Sequence, residues 1–185
     1  MSDPTPTELA TVRAEADRLF SPPEIEAAVR RMAAAITARL AAAHPLLLVT
    51  MTGGLVPAAL LLPHLDFPLQ VDYLHLTRYG TKISGGGLEW IREPPAQVRG
   101  RSVLLIDDLL DQGLTLAAAT AACTARGAHE VLTAVLIRKE MATRPGLTQT
   151  DFHALSTPDR YLFGYGMDYK TWWRNGPGIY AVKET

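Results

Sequence analysis

Two hydrophobic periods alternate along this chain. Ile25, Val29, Met32, Ile36 and Leu40 follow one another at spacings of four, three, four and four, one apolar stripe on a long helix. Ser21-Pro22-Pro23-Glu24 supplies its start, with a capping hydroxyl, proline in the first turn and a glutamate placed for a capping box, and His44-Pro45 stops it. Residues 1–20 read as an arm with a short helix and a turn, tied down by Leu19 and Phe20. Residues 46–49 form a short continuous apolar run, as in a strand buried on both faces, and residues 50–54 lead from it into a helix over residues 55–62. Residues 69–76 read as a strand, residues 78–87 as a mobile polar loop or hairpin excursion rich in glycine, and residues 88–91 as strand again. A loop over 93–100 precedes a strand over 103–106, and an Ala-rich helix over 116–126 ends at Gly127. Residues 131–137 are a further buried strand, and Arg144-Pro145-Gly146 is a loop. Short strands follow over 152–155 and 161–163, then a turn over 164–168, a helical turn over 169–174 and a last strand over 179–182. This order implies an α/β fold with a parallel sheet flanked by helices. Residues 50–54, 107–115 and 138–139 all leave strands at the carboxyl end, where such sheets gather ligands.

Length and charge narrow the class. A chain of 185 residues suits one domain, and 48% hydrophobic with 20% charged residues describes a globular protein rather than a disordered one. Eighteen basic against nineteen acidic residues leave a net charge of −1, which gives no global basic excess for a nucleic-acid partner. The lone Cys123 lies in the Ala-rich helix and reads as a buried thiol. The start carries neither the basic nor the apolar region of a signal peptide, and no apolar run reaches the roughly 20 residues of a membrane span. The expectation is a soluble cytoplasmic protein with neither nucleic-acid nor membrane partner.

The chemistry concentrates in residues 103–115, where four apolar residues end in Asp107 and Asp108, followed by Asp111, Gly113 and Thr115 at the head of a helix. A buried strand, an acidic turn, a short Gly-containing loop and a helix N-terminus make an anion site, since the first amides of a helix are free and its dipole end is positive. Carboxylates beside an anion must bind hydroxyls or a metal, or move a proton. Together they suggest a sugar phosphate with free hydroxyls.

That stretch closely resembles the phosphoribosyl-diphosphate signature of type I phosphoribosyltransferases. Residues 158–169, Pro-Asp-Arg-Tyr-Leu-Phe-Gly-Tyr-Gly-Met-Asp-Tyr, resemble the purine-pocket segment of the hypoxanthine-guanine members, with Lys139 and Arg174 at the family's spacing. The resemblance runs from about residue 16 to the end. It implies a single domain with a core over about 22–140 and a small hood from about 1–21 and 141–185. It also implies transfer of ribose 5-phosphate from phosphoribosyl diphosphate to N9 of hypoxanthine or guanine, with Mg²⁺, in purine salvage. On that pattern Asp111 is the catalytic residue at the purine N7 edge, as general base or electrostatic partner. The amides of Asp111, Gln112, Gly113, Leu114 and Thr115, with the Thr115 hydroxyl, hold the 5-phosphate. Asp107 and Asp108 take the ribose hydroxyls and one Mg²⁺, Asp168 a second Mg²⁺ through water, and Thr52, Gly53 and Arg174 the pyrophosphate. Lys139 reads the purine O6, with Arg138 one residue away as the alternative register; Tyr161 stacks on the base and Leu162 reads it through its backbone. Arg78 and Tyr79 fall in the family's lid. Relatives of this family are dimers or tetramers, so a homodimer or homotetramer is expected.

The chain departs from the pattern in three places. Thr52 stands where the family often has lysine, Arg78 where the lid has serine, and Gln112 where a hydroxyl residue is common. A strained or cis Met51–Thr52 peptide is implied by the resemblance alone. Two other readings stay open: a phosphoribosyltransferase for xanthine or a pyrimidine, and a fold relative turned nucleic-acid-binding regulator, which the balanced charge disfavours.

Overall fold

A computed structural model of the chain describes residues 3–78 and 88–183. The arm folds into helix α1 (Pro6–Glu15) and strand β1 (Asp17–Phe20). Helix α2 (Pro22–Leu40) starts at a complete capping box: Glu24 accepts from the Ser21 amide at 2.8 Å and from its hydroxyl at 2.6 Å. All five residues of its stripe are buried, and after a 3-10 turn the chain reverses at His44 with φ 47°. Strand β2 (Leu46–Met51) leads into helix α3 (Leu55–Leu61), and the antiparallel pair β3 (Gln70–Arg78) and β4 (Leu88–Arg92) follows. Then come β5 (Ser102–Leu110), α4 (Leu114–Ala125), β6 (Glu130–Glu140), β7 (Phe152–Pro158), β8 (Leu162–Phe163) and β9 (Ile179–Ala181). Gly127, at φ 86°, ends α4 in a Schellman arrangement: its amide reaches Thr124 O at 2.9 Å and Ala128 N reaches Cys123 O at 3.1 Å. The Cys123 thiol is buried, and burial pushes its pKa up to about 11, which keeps it an inert thiol.

Six strands form one sheet in the order β4-β3-β2-β5-β6-β7, parallel except for β4. Successive residues of the central strands serve opposite faces. Leu47, Val49, Leu104 and Ile106 pack with α2 and α3, whereas Leu46, Leu48, Val103 and Leu105 pack with α4. Both faces are covered, which is why these strands read as unbroken apolar runs.

The second sheet, β1-β9-β8, is antiparallel and joins the two ends of the chain. Its core is Phe163, Tyr169 and Tyr180, with Leu9, Val12 and Ala16 of α1 and Trp173 against them. The large sheet continues past residue 140, because β7 pairs with β6 from Ala134↔Phe152 to Glu140↔Pro158, so the small sheet takes over only after Pro158. Residues 169–174 differ from the helical turn expected. Tyr169 and Trp172 bridge each other, and Lys170, Thr171 and Trp173 have positive φ, making a tight reversal that a sequence period cannot reveal.

Candidate active site

The loops leaving β2, β5 and β6 at one edge of the large sheet bound a cleft of about 470 Å³, with β8 and the segment after it on the far wall. One wall comes from a single stretch of chain. β5 extends to Leu110, so Asp107 and Asp108 are strand residues rather than the acidic turn expected; parallel pairing continues through Leu109↔Ile137 and Leu110↔Arg138. Asp107 is buried, and its carboxylate accepts from the Asp108 amide at 2.9 Å. Burial first, then the neighbouring charge of Asp108, hold the Asp107 carboxyl well above the usual carboxylate range; burial also raises Asp108, against the pull of Arg174.

The chain then passes Asp111 and Gln112 to Gly113, whose φ of 73° is left-handed. A Cβ there would fall 2.3 Å from Leu147 O, so glycine is required for both conformation and space. Gly146 N–H and Leu147 N–H donate to Gln112 O and Gly113 O, each at 3.0 Å. Arg144 donates to Asp111 O at 2.9 Å and also to Lys139 O. Residues 144–147 thus brace this loop from behind. The first turn of α4 has no side-chain cap, and its first backbone bond is Ala117 N to Gly113 O at 3.0 Å. The amides of Leu114, Thr115 and Leu116 therefore have no acceptor within the helix, and all three residues line the cleft.

The second wall is the turn from β2 into α3. The Met51–Thr52 peptide is cis. A Cβ on Gly53 would lie 2.3 Å from the Asp108 carboxylate, and one on Gly166 2.3 Å from Gly53 O. The hood turn therefore closes onto this loop and onto β5. Arg174 binds Asp168 at 2.6 Å and Gly166 O at 2.6 Å, and approaches Asp108 at 3.8 Å. Asp168 also accepts from Thr171 N–H at 2.7 Å.

The third wall carries Lys139, at the end of β6. Its Nζ is 3.3 Å from an Asp111 carboxylate oxygen and 3.0 Å from one of Asp159, on a side chain only 9% exposed. Arg138, one residue earlier, is not among the cleft residues; it approaches Ser156 Oγ at 3.5 Å. Tyr161 is half-exposed at the mouth, its ring 5.6 Å from that of Tyr169 and tilted by 34°, and its hydroxyl accepts from Lys170 N–H at 3.0 Å. Leu162 beside it is buried, and Val182 N–H donates to Tyr161 O at 2.8 Å.

The cleft thus gathers Thr52, Gly53, Asp107, Asp108, Asp111, Gln112, Gly113, Leu114, Thr115, Lys139, Tyr161, Leu162, Asp168 and Arg174, brought together from four stretches of the chain. Arg78 ends β3, and Tyr79 lies outside the described residues. Sequence reasoning gave no role to Asp159, although it stands inside the quoted purine-pocket segment. It also passed over Arg144, whose loop carries no motif, and Thr50, whose buried hydroxyl lines the cleft without a hydrogen-bond partner. The lining side chains carry four carboxylates against two cations.

Residues 15–169 match the family described as Phosphoribosyl transferase domain. The hypoxanthine-guanine phosphoribosyltransferase of Bacillus subtilis (strain 168) is 31% identical over 166 residues, covering 89% of this chain and 92% of that one. The hypoxanthine-guanine-xanthine phosphoribosyltransferase of Tritrichomonas foetus is 28% identical over 167 residues, 90% and 91% of the two chains. A solved hypoxanthine-guanine-xanthine phosphoribosyltransferase superposes with a TM-score of 0.76 at 26% identity, over 92% of this chain and 97% of that one. With the family model spanning most of the chain and a curated relative at 31% identity, the chain belongs to the phosphoribosyltransferase family, among the hypoxanthine-guanine enzymes.

Proposed function

We propose that the protein transfers the 5-phosphoribosyl group of phosphoribosyl diphosphate to N9 of hypoxanthine or guanine, giving IMP or GMP and pyrophosphate in purine salvage. The observation that carries this reading is the Lys139–Asp111 pair, a donor and an acceptor 3.3 Å apart at the cleft. A 6-oxopurine protonated at N7 offers a matching edge, O6 as acceptor beside N7–H as donor. Adenine would set an amino group against the ammonium. With the proton on N7, the N9 lone pair is free to attack the anomeric carbon. As the N9–C1′ bond forms and the bond to pyrophosphate breaks, the N7 proton passes to the Asp111 carboxylate, and neutral base chemistry is restored. Tyr161 covers one face of the purine, and Leu162 meets its edge through the backbone.

The 5-phosphate lies on the amides from Asp111 to Thr115 and the Thr115 hydroxyl, at the α4 N-terminus. Asp107 and Asp108 hold the ribose hydroxyls, while Thr52, Gly53 and Arg174 receive the leaving pyrophosphate. A hard divalent cation suits this donor set: Mg²⁺ binds through one or two carboxylates and completes its shell with substrate oxygens and water. No group of three or more His, Cys, Asp or Glu side chains converges among the described residues, and such a site needs none. Asp107, raised by burial and by the charge of Asp108, and Asp108, raised by burial, would hold one Mg²⁺, and Asp168 a second through water. When bound, Mg²⁺ neutralises charge developing on the leaving pyrophosphate. Core and hood act as one catalytic unit, since Lys139 stands on the large sheet and Tyr161 and Arg174 on the hood side.

Two further assignments complete the reading. Leu55, Val71, Tyr73 and Ile91 are exposed on α3, β3 and β4, and a second copy of this chain is the occupant we assign to these apolar residues. The protein works in the cytoplasm; among the described residues no helix is long and apolar enough to cross a membrane.

The test is to incubate the protein with phosphoribosyl diphosphate, Mg²⁺ and each base in turn. Hypoxanthine and guanine should yield nucleotide and adenine none; no product from any base would overturn the reading. The name of the Tritrichomonas foetus relative makes xanthine the second reading for the base, and the same assay decides it.

A further inference from the structure

Helix α1 lies almost wholly before the family match, which begins at residue 15. None of its residues is fully buried, and only Leu9 and Val12 pack, partly buried, against the core of the small sheet. It is nevertheless anchored at several points, and all of them lead to one place. Glu8 accepts from the Tyr169 hydroxyl at 2.9 Å and from Lys170 Nζ at 2.7 Å. Trp173 Nε1 donates to Leu9 O at 3.0 Å. Arg13 donates to the Tyr180 hydroxyl at 2.7 Å, with its guanidinium 3.9 Å from that ring's centre. Tyr169, Lys170 and Trp173 belong to the reversal whose Lys170 amide donates to the Tyr161 hydroxyl at 3.0 Å and whose Tyr169 ring stands against Tyr161.

That reversal contains three non-glycine residues at positive φ, Lys170, Thr171 and Trp173. Each is disfavoured locally and persists only where the surroundings over-determine it. Tyr161 itself is half-exposed, so packing alone does not fix its ring. The two bonds of Glu8 reach successive residues of the reversal and hold it from outside.

We propose that α1 is a clasp for the purine-stacking wall, and that Glu8 is a positioning residue for Tyr161, acting through Tyr169 and Lys170. Glu8 touches neither base nor ribose; it fixes the ring on which the base lands. The role rests on the assignment of Tyr161 under the proposed function, so one readout is chosen that needs no activity.

The first measurement is amide hydrogen exchange on Glu8→Ala, Glu8→Gln and the wild type. Lys170 and Thr171 amides should exchange severalfold faster in Glu8→Ala. Glu8→Gln, which can still accept from Tyr169 but cannot neutralise Lys170, should fall between. Exposed Glu15→Ala, on the same helix, should match the wild type. Unchanged exchange at Lys170 in Glu8→Ala overturns the clasp, whatever the enzyme's reaction. The second measurement is steady-state kinetics with hypoxanthine. Loss of a charge-assisted contact acting at one remove should raise KM for the base roughly three- to tenfold in Glu8→Ala, with kcat and KM for phosphoribosyl diphosphate within about twofold. A KM for the base equal to that of Glu15→Ala overturns the positioning role. Absence of product in the wild type would count against the proposed function instead, leaving the exchange result to judge the clasp.

Discussion

The two halves of the cleft are built in opposite ways. The ribose-phosphate wall is a local object: β5, a loop closed by Gly113 and the first turn of α4 follow one another without interruption. Its strand is buried on both faces of the sheet, and its loop is braced by three hydrogen bonds from residues 144–147. The base wall is assembled from distant pieces: Lys139 ends β6, Tyr161 precedes β8, and the Tyr169–Arg174 reversal is held by a helix from the other end of the chain. Local construction gives rigidity through the backbone. Assembly from distant pieces gives a wall whose residues can change separately, which suits a site that must hold one donor and choose among bases.

The contrast predicts that substitutions on the two walls fail differently. Asp111 sits where the walls meet, so Asp111→Ala should lower kcat by about 10²- to 10⁴-fold, the range for a lost general base, while donor affinity measured by calorimetry changes far less. Comparable losses in both would make Asp111 a binding residue and erase the division.

Lys139→Ala should act only on the base wall, reducing kcat/KM for hypoxanthine by roughly 10- to 100-fold, as expected when a charged donor to a substrate oxygen is lost. Arg138→Ala should leave that ratio near the wild type. The reverse outcome would mean that the strand end reads the base one residue earlier than proposed.

Asp107→Asn probes the cost of the ribose-phosphate wall. Burial and the adjacent Asp108 make the ionised Asp107 unfavourable in the fold, so its neutral isostere should melt a few degrees higher in metal-free buffer at neutral pH. Added Mg²⁺ should narrow the gap, because only the charged pair gains from it, and donor binding should be lost. A lower melting temperature than wild type would contradict the burden assigned to the acid pair.

The smallest effect belongs to Thr52→Lys. Restoring the cation at the exposed edge of the cleft should strengthen pyrophosphate binding by roughly two- to fivefold, an effect that fades as salt is raised. Weaker binding would show that the cis loop has been fitted around threonine.

How much could be read beforehand follows the same division. The unbroken apolar runs, the capped stripe of α2 and the motif of residues 103–115 depend on neighbours in sequence, so helices, central strands and the anion site were legible. Lys139, Tyr161 and Arg174 were legible only through resemblance to a family, because a lysine at a strand end and a tyrosine in a short strand carry no chemistry of their own. Several features needed the fold. Asp159 and Arg144 acquire meaning only when β6 and β7 pair and bring them to Lys139 and Asp111. The extension of β5 through Asp107 and Asp108 depends on β6 alongside, since strand pairing overrides the local preference of acids for a turn. The reversal after Tyr169 looked helical because three positive φ values leave no periodic trace.

The sequence by itself determined the secondary elements, their α/β order and a phosphate site written in consecutive residues, because hydrophobic period, capping and helix dipole act over a few residues at a time. Tertiary structure alone decided which acids share a lysine, at which glycines a Cβ would fall within 3 Å of a carboxylate or a carbonyl, and that a helix with no buried residue grips the wall opposite. Those contacts join residues up to 167 positions apart, and only the closure of two sheets around one cleft brings them together.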